Sequence, residues 1–350
     1  MRTDPDYRLV AGFRFRCLPG CGLCCYTTPA VAPAERSRLI QLDPEVPLLE
    51  ARGGWANVAS RPEGGACYFL REGRCACHAS RPATCAEFPL TAYVSDRVQV
   101  SVVLSCPGVE LAPLLRLGED SSAGALSGDL ASEIETVNSE VARAEASGQL
   151  RSVAQRRRQV ERRLSRAGLW QSEGEIRERI QGQLDHFIPS ELTDDDSPDE
   201  ESELEALPIF YEPSLGRVVW RRHPGGVEFL SIRESGGIAA HLEVLVPPTR
   251  SPLLAGGART MLRGYLQYLL DRDATIGVAY DRLLRGEPDS PELVVARDLQ
   301  DIAGQVIRLA TLRRALVSDR RGELLVQDLE DGIRATDMDI LDRPTTGLRL

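Results

Sequence analysis

The stretch RCLPGCGLCC (residues 16–25) places four thiols, Cys17, Cys21, Cys24 and Cys25, within nine residues. Whether they are disulfide partners or metal ligands decides what fold the first third of the chain can have. All nine cysteines fall between Cys17 and Cys106, and the 244 residues that follow contain none. Scattered core thiols do not segregate in this way, so a dedicated cysteine domain is expected. An odd number of cysteines suits a disulfide framework poorly, and clustered thiols in a reducing compartment more often bind metal.

The cluster has two halves. The first is Cys17-x3-Cys21-x2-Cys24-Cys25, with Pro19, Gly20 and Gly22 supplying turn chemistry that points successive sulfurs inward. The second is CYFLREGRCACHASRPATCAEFP (67–89), with Cys67, Cys75, Cys77 and Cys85, followed by Cys106 in SCPG. Four thiolates saturate a tetrahedral zinc, so eight or nine imply two metal centres, or an iron–sulfur cluster plus a second site. Adjacent Cys24 and Cys25 are expected at different ligand positions.

These motifs carry a resemblance. Cys17, Cys21, Cys24 and Cys25, then Cys67 with Phe69 and Leu70, then Cys75, Arg81-Pro82, Cys85 and Phe88-Pro89, with Cys106 behind them, resemble the YkgJ family of cysteine-cluster proteins. That family is described as a zinc- or iron-chelating CxxCxxCC domain. The resemblance covers the first third of the chain and implies Cys17, Cys21, Cys24, Cys25, Cys67, Cys75, Cys85 and Cys106 as metal ligands. Cys77 stands where the family often has an aliphatic residue, which leaves its place in the ligand set open. His78 replaces an aromatic and is read as a packing residue. The family includes flagellin lysine N-methylases, which implies as one reading S-adenosylmethionine and a 4Fe-4S iron–sulfur cluster as cofactors, with a lysine-containing protein as substrate. Cys17-x3-Cys21-x2-Cys24 alone is similar to the radical S-adenosylmethionine motif, but no alternation of strands and helices follows to build the barrel of those enzymes.

Composition bears on the same question. The chain has 350 residues and a net charge of −10, and all 42 basic residues are arginine. A genome rich in arginine codons explains the absence of lysine; chemistry directed at lysine, which a lysine-free protein escapes, also explains it. The net charge argues against general affinity for nucleic acid or anionic membrane. Residues 151–166 nevertheless carry seven arginines against one glutamate, and residues 191–205 carry nine acidic residues and no base. No apolar run is long enough to span a bilayer and the first residues show no export signal, so a cytoplasmic protein is expected.

Along the chain, residues 32–42 read as a short helix starting near Pro33. Residues 91–106 read as two strands joined at Ser95-Asp96 and ending at Cys106. Residues 127–187 read as helical, with a capping serine in SGDLASEIETVNSEVARAEA and Val153, Val160 and Leu164 as the buried stripe of an arginine-rich helix. Trp170 is expected to anchor that helical pair. After the acidic stretch, HPGG and ESGG punctuate three strands of a meander. Helices then follow, with Met261, Leu262, Tyr265, Leu266 and Leu269 on one apolar face, and Leu293, Ala296, Leu299, Ile302, Val306, Leu309 and Leu312 on another. His223 and His241 sit in turn or strand-edge positions without a catalytic partner. No nucleotide-binding glycine motif, P-loop or hydrolytic triad is present.

The sequence thus predicts an α+β protein. A loop-rich cysteine-cluster domain (1–115) precedes a helical segment with the arginine-rich helix (116–190), an acidic linker (191–207), and a β-meander plus helical C-terminal domain (208–350). Three functions fit: a metal-dependent protein-modifying enzyme, a structural metal-binding module that docks a partner, or a redox or metal-handling protein.

Overall fold

The computed structural model describes residues 2–18, 21–26, 28–51, 54–111, 130–189, 209–212, 215–223, 226–244, 254–317, 322–341 and 345–349. The acidic stretch 191–207 and Ser127 lie outside these residues. The fold is α+β, as the patterning predicts, and no radical-enzyme barrel is formed by the described strands.

The chain opens with β1 (Arg2–Asp6). A small unit follows, formed by β2 (Ala30–Val31), α1 (Pro33–Leu42), β3 (Leu48–Glu50) and β4 (Ala56–Val58), with strand order β2-β4-β3. Helix α1 starts at Pro33, where proline's fixed φ suits the first turn. Glu35 Oε2 accepts the Ala32 amide at 3.0 Å and so closes the helix start. The two-residue strands β5 (Leu70–Arg71) and β6 (Arg74–Cys75) form a tight hairpin, and α2 (Ala83–Ala86) is a single turn.

Strands β7 (Leu90–Val94) and β8 (Arg97–Val102) form the expected hairpin around Ser95-Asp96. Strand β1 joins β8 in parallel. Val94, Val98, Val100 and Val102 are fully buried.

Helices α3 (Ala131–Ala146) and α4 (Gln149–Arg166) are joined through Gly148 at φ +77°, a left-handed position that glycine adopts without a Cβ clash. Helix α3 has no side-chain cap at Leu130. On α4 the expected stripe is buried: Val153, Val160 and Leu164, joined by Leu150. Trp170 stacks on Tyr280 with ring centroids 5.1 Å apart, so it ties α4 to the C-terminal helices rather than to α3. Helix α5 (Glu173–Gln181) begins with a reciprocal cap, Ser172 Oγ accepting the Glu175 amide and Glu175 accepting the Ser172 amide.

The meander has four strands where three were expected: β9 (Ile209–Glu212), β10 (Gly216–His223), β11 (Gly226–Ile232) and β12 (Ile238–Val244). Their order is β12-β11-β10-β9, with β9 antiparallel to β10. Helices α6 (Gly256–Asp271), α7 (Asp273–Leu284), α8 (Pro291–Val317) and α9 (Val326–Leu341) complete the described helices, and β13 (Leu348–Arg349) pairs with β7. The α6 stripe is entirely buried. On α8, Leu293 is exposed and Val294 and Val295 are buried instead, because the first turn presents a neighbouring face to the core.

One apolar core runs from Leu9 and Phe13 through the β7–β8 hairpin, α3–α5 and α6–α9. A second lies between the meander (Val218, Trp220, Phe229) and Leu309, Leu312 and Ala335 of α8 and α9. The third is small and contains Val31, Leu39, Val58 and Phe69 together with Cys67 and Cys77, with Cys25 and Cys75 packed on it. Four of the nine cysteines are therefore part of, or packed on, the local core of their unit. No helix among the described residues is long and apolar enough to cross a membrane.

Candidate metal centre

The first cysteine loop is set by its flanks. Phe15 bridges Val109, and the Arg16 amide donates to Gly108 O at 3.0 Å, so Cys17 leaves a fixed backbone ladder. Gly22 takes φ +59°, where a Cβ would also press on the Leu70 side chain. The turn it makes starts a single 3-10 helix, Leu23–Tyr26, that carries Cys24 and Cys25.

The two halves of the cluster are joined by backbone: the Cys67 amide donates to Cys25 O at 2.5 Å. Cys75 ends the β5–β6 hairpin, whose turn residues Glu72 and Gly73 both have positive φ, +53° and +69°. Two such residues give a turn whose twist matches the strands. Cys77 follows as the residue before a 3-10 turn, His78–Ser80. Pro82, with φ −55°, starts α2 and presents Cys85. The Phe88–Pro89 peptide bond is cis. The β7–β8 hairpin then returns the chain to Cys106. The Cys106 carbonyl accepts from Arg334 of α9 at 2.6 Å.

The thiols meet in a chain of contacts. Cys75 Sγ and Cys77 Sγ are 3.5 Å apart. The Cys25 thiol hydrogen-bonds to both Cys24 and Cys75, which lie in different halves of the sequence motif. Cys24 also feels the charges of Cys75 and Arg81, and Cys17, Cys67, Cys85 and Cys106 all feel Cys24. Cys21 lies within electrostatic range of Cys106. All nine cysteines, including Cys77, therefore belong to one neighbourhood, and none is in a disulfide. Among the described residues no three sulfurs lie mutually within 4.8 Å, so the contacts form a chain rather than a closed tetrahedron.

The contacts shift neighbouring thiols in opposite directions. Cys25 is raised by its bonds to Cys24 and Cys75, and Cys77 by its bond to Cys75. Cys24 and Cys75 are lowered, each first by its bond to Cys25. Burial pushes Cys106 up to about 12 and also raises Cys17, Cys67 and Cys85. Metal ligation reverses such shifts by replacing the protons with a cation. The donor set fits a thiophilic metal. It is all sulfur, and the 3.5 Å Cys75–Cys77 separation is near the roughly 3.8 Å edge of a tetrahedron with Zn–S bonds of about 2.3 Å.

Two neighbours escaped the sequence reading. Arg81 is a cation that favours the thiolate at Cys24, after the Cys25 hydrogen bond, and partly offsets the burial that raises Cys17 and Cys85. This gives the arginine of the Arg-Pro pair an electrostatic role. His78 is exposed rather than packed, with Nε2 3.2 Å from the Arg81 guanidinium. A separate carboxylate group, Asp96, Glu173 and Asp273, has the spacing of a cation site. Two of its three carboxylates are already paired: Arg97 and Arg177 pair with Asp273 at 2.7 and 2.5 Å, and Arg157 pairs with Glu173 at 2.7 Å. Of the two histidines set aside in the sequence, His241 is exposed and pairs with Glu228 at 2.8 Å, and the side chain of His223 lies outside the described residues.

Residues 16–107 match the family model CxxCxxCC, whose description reads "Putative zinc- or iron-chelating domain". The matched span is 92 of the 350 residues and contains every cysteine. The match supports a zinc- or iron-chelating cysteine-cluster domain in this part of the chain. No curated protein and no solved structure matches the chain.

Proposed function

Starting from a zinc- or iron-chelating domain at residues 16–107, we propose that the chain is a metal-binding protein whose thiols hold more than one metal ion, as an iron–sulfur cluster or as zinc. Cys17, Cys21, Cys24, Cys25, Cys67, Cys75, Cys85 and Cys106 would be the ligands, with Cys77 available as a ninth. The observation that carries this reading is the Cys24–Cys25–Cys75–Cys77 contact chain, which brings thiols 53 positions apart onto one surface. Bound metal would supply a cross-link between the two halves and a positive centre for the thiolates. The protein side contributes Arg81, which already biases Cys24 toward the thiolate.

Anaerobic purification followed by metal analysis, labile-sulfide assay and absorption spectroscopy tests the reading. More than one iron or zinc per chain is expected. Substoichiometric metal with nine titratable thiols would refute it.

The lysine-free composition favours a second reading, in which the centre serves lysine-directed chemistry with S-adenosylmethionine. Incubating the anaerobic, reduced protein with labelled S-adenosylmethionine and lysine-containing proteins tests it. Lack of label on lysine, or equal scarcity of lysine in unrelated proteins of the same genome, removes its support.

A further inference from the structure

Helix α4 separates its residues sharply. Leu150, Val153, Val160 and Leu164 face the core. Arg151, Arg156, Arg158, Arg162, Arg163 and Arg166 are all exposed. Among the described residues none of these six arginines has an ion pair or a hydrogen-bond partner. Arg157, on the inner side, behaves differently: it pairs with Glu173 at 2.7 Å and lies over the Tyr280 and Trp170 rings. Glutamates of the neighbouring α3 do not neutralise the face, and Glu140 is paired within its own helix to Arg143. Glu161 is the one acidic residue of α4. At 100° per residue, Arg151, Arg158, Arg162 and Arg166 fall within about 80° of arc and span about 22 Å of helix.

We propose that this face binds the phosphate backbone of double-stranded nucleic acid without reading its sequence. The other exposed residues of α4 include Ser152, Gln155, Gln159 and Ser165, which are hydrogen-bond donors of the kind that contact phosphates. No apolar residue of α4 is exposed to seed the core of a protein–protein interface. The same lack leaves nothing to insert into a lipid surface. No aromatic ring stands free on the face to stack an unpaired base, since Trp170 stacks on Tyr280 and the Arg157 guanidinium lies over both rings. What remains is a stripe of guanidinium charge matched to a polyphosphate. The chain's overall −10 opposes association only at long range. At physiological salt charges beyond about 8 Å are screened, so the local stripe governs contact.

Fluorescence anisotropy of the full-length, metal-loaded protein with two 20-base-pair duplexes of unrelated sequence tests this. Both should bind equally. With four to six phosphate contacts, affinity should fall about 100- to 2,000-fold between 50 and 200 mM salt. The triple variant R158Q/R162Q/R166Q should weaken binding at least 10-fold and flatten the logarithmic salt slope by about 3. Its metal content and thermal unfolding should stay unchanged, because the three side chains are exposed. R259Q, on α6, should bind as the parent does. No binding at 50 mM salt, an unaffected triple variant, or tighter binding to single strands, to a poly-glutamate peptide or to phosphatidylserine vesicles would each overturn the proposal.

Discussion

Glu234 and Gly73 stand 161 residues apart in sequence and meet through a 2.9 Å hydrogen bond from the Gly73 amide to Glu234 Oε2. The other carboxylate oxygen accepts the Glu72 amide at 3.0 Å. The Glu234 carbonyl accepts from the Ala66 amide at 3.0 Å and from Arg61 at 2.9 Å. The β11–β12 turn thus grips both ends of the segment between Cys67 and Cys75. Gly236 makes the approach possible, since a Cβ there would overlap Pro62 O. Arg217 of β10 adds a bond to Gly64 O and lies over the Tyr26 ring, next to Cys25.

This grip predicts that Glu234→Gln loosens the cysteine centre without touching a thiol. Glutamine keeps one acceptor but loses the charge-assisted bond, worth about 1.5–3 kcal/mol. Transfer of metal to a chromophoric chelator should be about 10-fold faster than in the parent protein, with the initial metal stoichiometry unchanged. Identical transfer rates would mean that the meander merely rests on the domain.

The opposite shifts of Cys24 and Cys106 predict an order of reactivity in the metal-free protein. Thiolates, not thiols, attack alkylating agents. Cys24 is exposed and stabilised as thiolate, whereas Cys106 is buried and pushed up to about 12. Brief iodoacetamide treatment at pH 7.5, read by peptide mass spectrometry, should therefore label Cys24 well before Cys106. Metal loading should protect both. Early labelling of Cys106 would contradict the arrangement of the two thiols.

Much of this centre was readable because it is local. The turn chemistry of Gly22, the Arg-Pro start of α2 and the Ser95-Asp96 hairpin are encoded within a few residues of the thiols they place. The β7–β8 hairpin and the stripes of α4 and α6 were equally legible from periodicity. What escaped was non-local. Nothing near Glu234 in sequence signals that its carboxylate caps a turn on the cysteine domain. Strand β9 is four residues long and follows directly on the acidic stretch, so no alternation had room to show. Helix α9 carries acidic residues through its length, among them Asp328 and Asp337, and its apolar face is correspondingly thin. Two of those carboxylates are used internally: Asp328 accepts the Leu325 amide at 2.8 Å and Asp337 is fully buried.

Glu173 gives a pH prediction. Burial, then the Asp273 carboxylate, raises it from 4.5 to about 7, against the lowering effect of Arg157 and Arg177, while Asp96 faces it from the hairpin turn and raises it further. A carboxyl that holds its proton more tightly when folded contributes fully below about pH 4.5, and that contribution is lost as pH rises toward 7. Glu173→Gln does not titrate. It should gain on the parent protein by about 1–3 kcal/mol between pH 4.5 and pH 8 in urea unfolding. A difference between the two proteins that does not change with pH would show that Arg157 keeps Glu173 ionised throughout.

Asp337 supplies the last prediction, because it joins the end of the cysteine domain to the helical core. Its carboxylate is fully buried, pairs with Arg272 at 2.9 Å, and accepts the Leu104 amide at 2.7 Å and the Tyr265 hydroxyl at 3.2 Å. Arg272 in turn donates to Val102 O at 2.5 Å. Asp337→Asn strands the Arg272 charge in an apolar interior, which costs about 3–5 kcal/mol. Replacing both partners by Leu and Met removes the charge with the anion, so R272M/D337L should lose less than D337N alone. Urea unfolding of the three proteins gives the comparison. Leu104 lies two residues before Cys106, so D337N should also speed alkylation of Cys106 in the metal-free protein. If D337N unfolds like its parent, the pair is not the tie between the two parts of the chain.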